Sequence, residues 1–95
     1  MSEPREVMTS LHEADKMEDG TYRFIPCLVT ENEAGYRPMR GADSLAAPWY
    51  WGNTNDECQA RCDEWNRETY RIEPEEALEI VASSMRAQNG LFARR

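Results

Sequence analysis

The order of apolar and polar side chains predicts a β-hairpin in the first half of the chain. Residues 21–30 (Thr-Tyr-Arg-Phe-Ile-Pro-Cys-Leu-Val-Thr) are rich in aromatic and β-branched side chains, which is typical of a strand. Pro26 has no amide hydrogen to donate, so this strand should lie at a sheet edge or bulge at Pro26. Residues 31–35 end in Gly35 and suit a hairpin loop, after which residues 36–40 should return as a short second strand.

Three consecutive aromatic residues, at 49–51, predict a short third strand that ends in a turn at Gly52. Thr54 and Glu57 have the spacing of a capping box, in which each side chain accepts a hydrogen bond from a backbone amide at the start of a helix. A helix is therefore predicted over residues 54–69. One face of that helix should carry the side chains that recur at helical spacing: Cys58, Cys62, Trp65 and Thr69.

A second helix is predicted near the end of the chain. Pro74 is favoured in the first turn of a helix, and Asn89 followed by Gly90 is a typical helix end. Residues 91–95 should then form a loose tail. The apolar stripe of this helix is expected to centre on Leu78, Val81 and Met85, with Ala77, Ile80 and Ala82 beside it.

The N-terminal residues 1–20 predict a weaker helix. Ser2 can cap it and Gly20 can end it, while Val7 and Leu11 contribute only a thin apolar stripe. A helix with so little apolar surface gains little from packing against the rest of the protein. We therefore expect this helix to be loosely held.

Together these elements predict one α+β domain over residues 1–95, with its core over residues 21–90. A chain of 95 residues has no room for a second core. The expected architecture is a small antiparallel sheet, made of the hairpin plus the short third strand, covered on one face by the two C-terminal helices. The N-terminal helix would be an addition to that core.

Composition and charge narrow the classes of function. Charged side chains make up 31% of the chain, the formal net charge is −7, and residues 56–79 hold nine carboxylates against three arginines. No apolar run approaches the roughly 20 residues of a membrane-spanning helix, and residues 1–20 lack the apolar stretch of a signal peptide. We therefore expect a cytoplasmic protein with reduced cysteines that does not bind membranes or nucleic acid directly.

The residues that could carry chemistry do not form a catalytic pattern. Cys58 and Cys62 lie one helical turn apart, but only Cys27 and His12 remain as further soft ligands, and the spacing is not that of a compact zinc site. Two interpretations stay open for the cysteines: small apolar residues of the core, or a cysteine-based metal or redox site. Neighbouring carboxylates on a helix point in different directions. We expect no enzymatic activity and no cofactor.

An aromatic and acidic surface is the best candidate for a binding site. Tryptophan and tyrosine dominate the energetics of protein interfaces, and carboxylates attract a basic partner. The alternatives are that the aromatic rings all belong to the core, that they are buried in a homo-oligomer, and that the acidic helices mimic DNA or only keep the protein soluble. The predicted partner-binding residues are Trp49, Tyr50, Trp51, Asp56, Glu57, Asp63 and Glu64.

The run Gly52-Asn53-Thr54-Asn55-Asp56-Glu57-Cys58 resembles the glycine-x-threonine-x-acidic-glutamate-small signature of HicB-like antitoxin domains. In that family a strand pair and a third strand also precede a helix that starts at the threonine, and the order from Tyr22 to Glu68, about half of the chain, is similar. The resemblance implies a β-β-β-α fragment and an antitoxin component as an alternative function. The chain departs from the family in lacking a recognisable DNA-binding tail.

The short, acidic and aromatic-rich chain also resembles small accessory proteins of phages and mobile elements, some of which bind and block host proteins. That resemblance implies a protein-interaction module whose partner is a protein of the host. It implies no particular residue as the contact.

Overall fold

The computed structural model describes residues 3–11, 14–39 and 52–93, with the backbone alone over 90–93. In these ranges five strands precede two helices: β1 Glu6–Thr9, β2 Ala14–Lys16, β3 Tyr22–Phe24, β4 Cys27–Thr30, β5 Arg37–Pro38, α1 Asn55–Tyr70 and α2 Pro74–Ala93. An antiparallel sheet has the order β1-β4-β5, and β2 pairs with β3 in a separate antiparallel hairpin. The predicted α+β class, with a small antiparallel sheet and two C-terminal helices, is confirmed.

The predicted N-terminal helix is wrong, because this part of the chain forms β1 and β2. Val7 and Leu11 make too thin a stripe to hold a helix, whereas pairing with β4 satisfies the backbone and buries Val7 completely. The sequence does carry a hairpin signal, since Asp19 followed by Gly20 is a favoured turn pair. Gly20 has a φ of +90° and donates its amide hydrogen to the Met17 carbonyl at 3.0 Å.

The strand predicted over residues 21–30 is divided at Ile25 and Pro26 into β3 and β4, which belong to different sheets. Proline therefore interrupts the strand more completely than a bulge would. The hairpin that follows is confirmed, because β5 pairs with β4 through Arg37 opposite Leu28. The third strand predicted at 49–51 lies outside the described residues.

Two hydrophobic cores contact opposite sides of β1. Val7 packs with Val29, Ile72 and Ile80, whereas the next residue, Met8, packs in a second cluster. The buried members of that cluster are Met8, Met39, Cys58 and Cys62. Successive side chains of a strand point to opposite faces, so α2 covers one side of β1 and α1 the other. The expectation that both helices cover one face is therefore wrong.

The outer edge of β1 is closed by side chains of α1 instead of another strand. Asn66, which is fully buried, accepts from the Met8 amide at 2.8 Å and donates to the Met8 carbonyl at 2.9 Å. Seven residues earlier on the helix, the Gln59 side-chain oxygen accepts from the Ser10 amide at 3.0 Å and from the Thr9 hydroxyl at 2.9 Å. These bonds satisfy backbone groups that an edge strand otherwise leaves unpaired.

The buried stripe of α2 differs from the predicted one. Ile80 is fully buried and Ala77 and Val81 nearly so, whereas Leu78 is 65% exposed and Met85 is 49% exposed. The helix also continues beyond the predicted end at residues 89–90 and includes residues 91–93 of the predicted tail. No helix in the described ranges has both the length and the apolar composition to cross a bilayer.

A surface cluster of charges joins the start of β1 to two other elements. Arg5 pairs with Glu31 at 2.6 Å and with Glu76, in the first turn of α2, at 2.7 Å. The hydrogen bond to Glu31 raises the pKa of Arg5, and the same bond lowers the pKa of Glu31. Because these groups are exposed, solvent screens the pairs and their contribution to stability is small.

Candidate functional site

The start of α1 is built as the capping pattern predicts. The Thr54 hydroxyl accepts from the Glu57 amide at 3.1 Å, and the Glu57 carboxylate accepts from the Asn53 amide at 2.9 Å. The second bond reaches one residue further back than in a standard capping box. It fixes the Glu57 carboxylate at the positive end of the helix dipole, where a negative charge is stabilised.

Gly52 connects the aromatic residues 49–51 to this helix start. It is buried, and its carbonyl accepts from the Phe24 amide at the end of β3 at 2.7 Å. A Cβ atom on residue 52 would lie 2.7 Å from the Glu57 Cβ and 2.8 Å from the Cys58 amide nitrogen. Glycine is therefore required here by close approach. The predicted contact residues Trp49, Tyr50 and Trp51 lie outside the described residues, but the residue that follows them is fixed against β3.

Replacing Gly52 with alanine is expected to lower the free energy of unfolding by about 1–3 kcal/mol, because the added methyl group must push the first turn of α1 away from β3. Urea denaturation followed by tryptophan fluorescence measures the change. Asn53→Ala, at the neighbouring exposed position, is the control and should change the free energy by no more than about 0.5 kcal/mol. Equal stability of the two variants would show that the residue 52 site can accommodate a side chain.

Of the four predicted acidic contact residues, three are exposed to solvent. Asp56, Glu57 and Glu64 are exposed on the side of α1 that faces away from β1. Asp63 is half-buried at the edge of that surface and accepts from the Gln59 side-chain amide at 3.0 Å. Its carboxylate belongs to the polar network between α1 and β1, and its lower exposure makes it less accessible to a partner than the other three.

The cysteines lie in the interior. Cys27, Cys58 and Cys62 are free thiols with no exposed surface. Hydrogen bonding to Cys58, together with burial, raises the pKa of the Cys62 thiol, while hydrogen bonding to Cys62 and to Ser10 lowers that of Cys58. Buried thiols without access to solvent are poor nucleophiles and poor redox groups.

Within the described ranges, no group of three or more histidine, cysteine, aspartate or glutamate side chains is arranged to hold a metal ion. His12, the fourth residue considered in the sequence as a ligand, lies outside those ranges. Cys58 and Cys62 pack in the core around Met8, and Cys27 is fully buried at the start of β4.

The sequence reasoning missed Asn66 and Gln59, which hold α1 against β1. Asn66 follows Cys58 and Cys62 at four-residue spacing and is buried with them. Thr69, which was predicted to face inward, is exposed. An amide at helical spacing with buried residues was the available signal, because a polar group on an inward face needs a buried partner. Trp65 is half-buried and packs against the second core.

The exposed surface of α1 that we call the acidic face consists of Asp56, Glu57 and Glu64. It begins four residues after Gly52, on a helix whose Asn66 and Gln59 side chains bind β1. Comparison with family models, with curated proteins and with solved structures finds no match to this chain.

Proposed function

We propose that this chain is a non-catalytic interaction module that binds a basic surface of another protein. The acidic face and the aromatic residues 49–51 are the proposed contacts. The observation that carries the proposal is the placement of Asp56, Glu57 and Glu64 on one exposed side of a helix whose other side is fixed to β1. Because the helix backbone is already held against β1, binding would cost little backbone conformational entropy.

The charge geometry suggests the kind of partner. Asp56 and Glu64 are eight residues apart, which places them about 12 Å apart along the helix axis. Lysine or arginine side chains on a partner could approach both ends of this row at once. Long-range attraction between such surfaces speeds association and weakens as salt screens the charges. Binding would then block the basic site sterically and electrostatically.

We place this activity in a phage or mobile-element accessory protein that binds and blocks a host protein. A HicB-like antitoxin component is the alternative, suggested by the resemblance of residues 52–58 to the signature of that family. In that case the bound protein would be a toxin. The second alternative, a cysteine-based metal or redox protein, has less support because the three thiols are buried in the core.

The test is affinity capture from lysate of the native host with two variants of equal charge change. Asp56→Lys with Glu64→Lys reverses the acidic face, while Glu18→Lys with Glu33→Lys reverses two exposed carboxylates in the β2–β3 and β4–β5 turns. We expect a partner that the wild type and the turn variant retain and the acidic-face variant loses. With the purified partner, the dissociation constant should rise about tenfold or more for the acidic-face variant and should also rise with salt.

Equal retention of every captured protein by both variants, with no dependence on salt, would contradict the proposal. The identity of the partner separates the two settings, because a toxin would favour the antitoxin alternative and a host protein the accessory role. Trp49→Ala in the wild-type background tests the aromatic contribution. An unchanged dissociation constant for that variant would remove residues 49–51 from the contact surface.

A further inference from the structure

The side of α2 that faces away from the sheet carries exposed apolar residues. Leu78 and Met85 are 65% and 49% exposed and stand seven residues apart, so they lie on the same side of the helix about 10 Å from each other. Ala82 lies between them and is too small to keep a second helix at a distance. This surface is separate from the acidic face, because α1 and α2 contact opposite sides of β1.

A small cleft lies beside this exposed apolar surface of α2. It has a volume of about 210 Å³, and its apolar walls come from Leu11, Val29, Tyr36, Val81 and Met85. Tyr36 is 47% exposed, so its ring extends the apolar surface from α2 onto the loop before β5. An apolar side chain placed beside Met85 would bury surface both on the helix and in the cleft.

Two charged residues, Glu79 and Arg86, flank the exposed apolar residues of α2 and have the same seven-residue spacing as Leu78 and Met85. Glu79 lies one turn after Glu75, which is an unfavourable spacing for two like charges, and Arg86 follows Glu79 by seven residues. Residues 82, 83, 89 and 90, one turn from Arg86 on either side, are uncharged. Glu79 and Arg86 are too far apart along α2 to pair with each other on one helix.

We propose that two copies of this chain pair through α2, with the two helices antiparallel about a twofold axis near Ala82. Leu78 of each copy then lies beside Met85 of the other and enters the cleft that Met85 borders. Glu79 of each copy faces Arg86 of the other, so every apolar and charged contact is made twice. The charge pattern favours the antiparallel arrangement, because a parallel pair would place Glu79 and Arg86 of one copy on the opposite side of the contact from those of the other, where they could not pair.

One helix face with its cleft buries less surface than a standard protein interface. The dimer should therefore be weak and should form as concentration rises from the micromolar to the millimolar range. In sedimentation equilibrium the average mass of the wild type should increase from the 11.0 kDa of one chain toward twice that value. The acidic faces remain outside the contact, so this inference does not depend on the proposed function.

A charge exchange within the one chain tests the pairing. Arg86→Glu and Glu79→Arg should each raise the dimer dissociation constant about tenfold or more, because each places like charges together at two points. The double variant Glu79→Arg with Arg86→Glu should return the constant to within about threefold of the wild type. Glu68→Arg, on the exposed side of α1, is the control and should leave dimerisation unchanged.

Leu78→Ser should also abolish the mass increase, and circular dichroism should show that this exposed substitution leaves the helices intact. A wild type that stays at the mass of one chain throughout the series would overturn the inference and leave the α2 surface to a different protein. A dimer that responds to neither Leu78→Ser nor the charge reversals would place the contact elsewhere. The antiparallel pairing would be overturned if Leu78→Ser abolished the dimer but the double variant Glu79→Arg with Arg86→Glu kept the raised dissociation constant of the single charge reversals.

Discussion

Replacing Asn66 with leucine is expected to lower the free energy of unfolding by about 2–5 kcal/mol, although leucine is similar in size and more apolar. The reason is that the Met8 amide and carbonyl, which Asn66 binds at 2.8 Å and 2.9 Å, would both be left buried without a partner. Each unsatisfied backbone group costs about 1–3 kcal/mol. Urea denaturation of the monomer measures the loss.

Two companion variants separate the hydrogen bonds from the change of residue type. Thr69→Leu, at an exposed position of α1, should alter the free energy by about 0.5 kcal/mol or less. Gln59→Leu, which removes the acceptor for the Ser10 amide and the Thr9 hydroxyl at a half-buried site, should fall between the two. If Asn66→Leu proved as stable as Thr69→Leu, α1 would not be closing the edge of β1.

Hydrogen exchange gives a local readout of the same bond. In Asn66→Leu, the amide of Met8 should lose more protection than the amide of Val29, which lies in β4 next to β1. A uniform loss of protection would indicate that the substitution acts only through global stability.

Replacing Ile80 with alanine is expected to cost about 2–5 kcal/mol, whereas Leu78→Ala should cost less than about 1 kcal/mol. Ile80 is fully buried against Val7 and Val29, so its removal leaves a cavity between α2 and the sheet. Leu78 is 65% exposed. The measurement requires dilute protein, so that association through α2 does not add to the apparent stability of the wild type.

The order of these two effects distinguishes the observed helix face from the one expected from sequence. A larger loss for Leu78→Ala than for Ile80→Ala would support the predicted stripe of Leu78, Val81 and Met85. Ile80→Val is the graded control and should cost only about 0.5–1.5 kcal/mol, because it removes a single methyl group.

The helices could be predicted because their signals are local. Thr54 and Glu57 fix the start of α1 through bonds between near neighbours, and Pro74 marks the start of α2. The rotation of α2 could not be predicted in the same way. Two overlapping stripes fit its helical spacing, and only the position of β1 and β4 decides that Ala77 and Ile80, and not Leu78, face the core.

The N-terminal strands depend on still more distant residues. Adjacent apolar residues such as Val7 and Met8 fit either a helix or a strand when only the sequence is considered. In the structure they form a strand because α2 covers one side of it and α1 the other. Asn66 likewise gains its role from a strand 58 residues away. Local propensity gives way to tertiary contacts at these positions.

In the candidate site, too, local sequence predicts some features and distant contacts decide others. Exposure of Asp56, Glu57 and Glu64 could be expected from their places on an amphipathic helix. The partial burial of Asp63 could not be predicted, since its hydrogen bond from Gln59 is part of a network that reaches β1. The roles of Trp49, Tyr50 and Trp51 stay predictions, as does the binding of a partner protein.

The position of β1 between two helices also affects how the protein folds during synthesis. Translation at roughly 5–20 residues per second makes β1 at least several seconds before α2 is complete. During that interval Val7 and Met8 lack their helix partners, and the edge that Asn66 later covers is open. The nascent sheet therefore exposes two apolar surfaces and an unpaired strand, which makes it a target for chaperones and for aggregation until the last helix emerges.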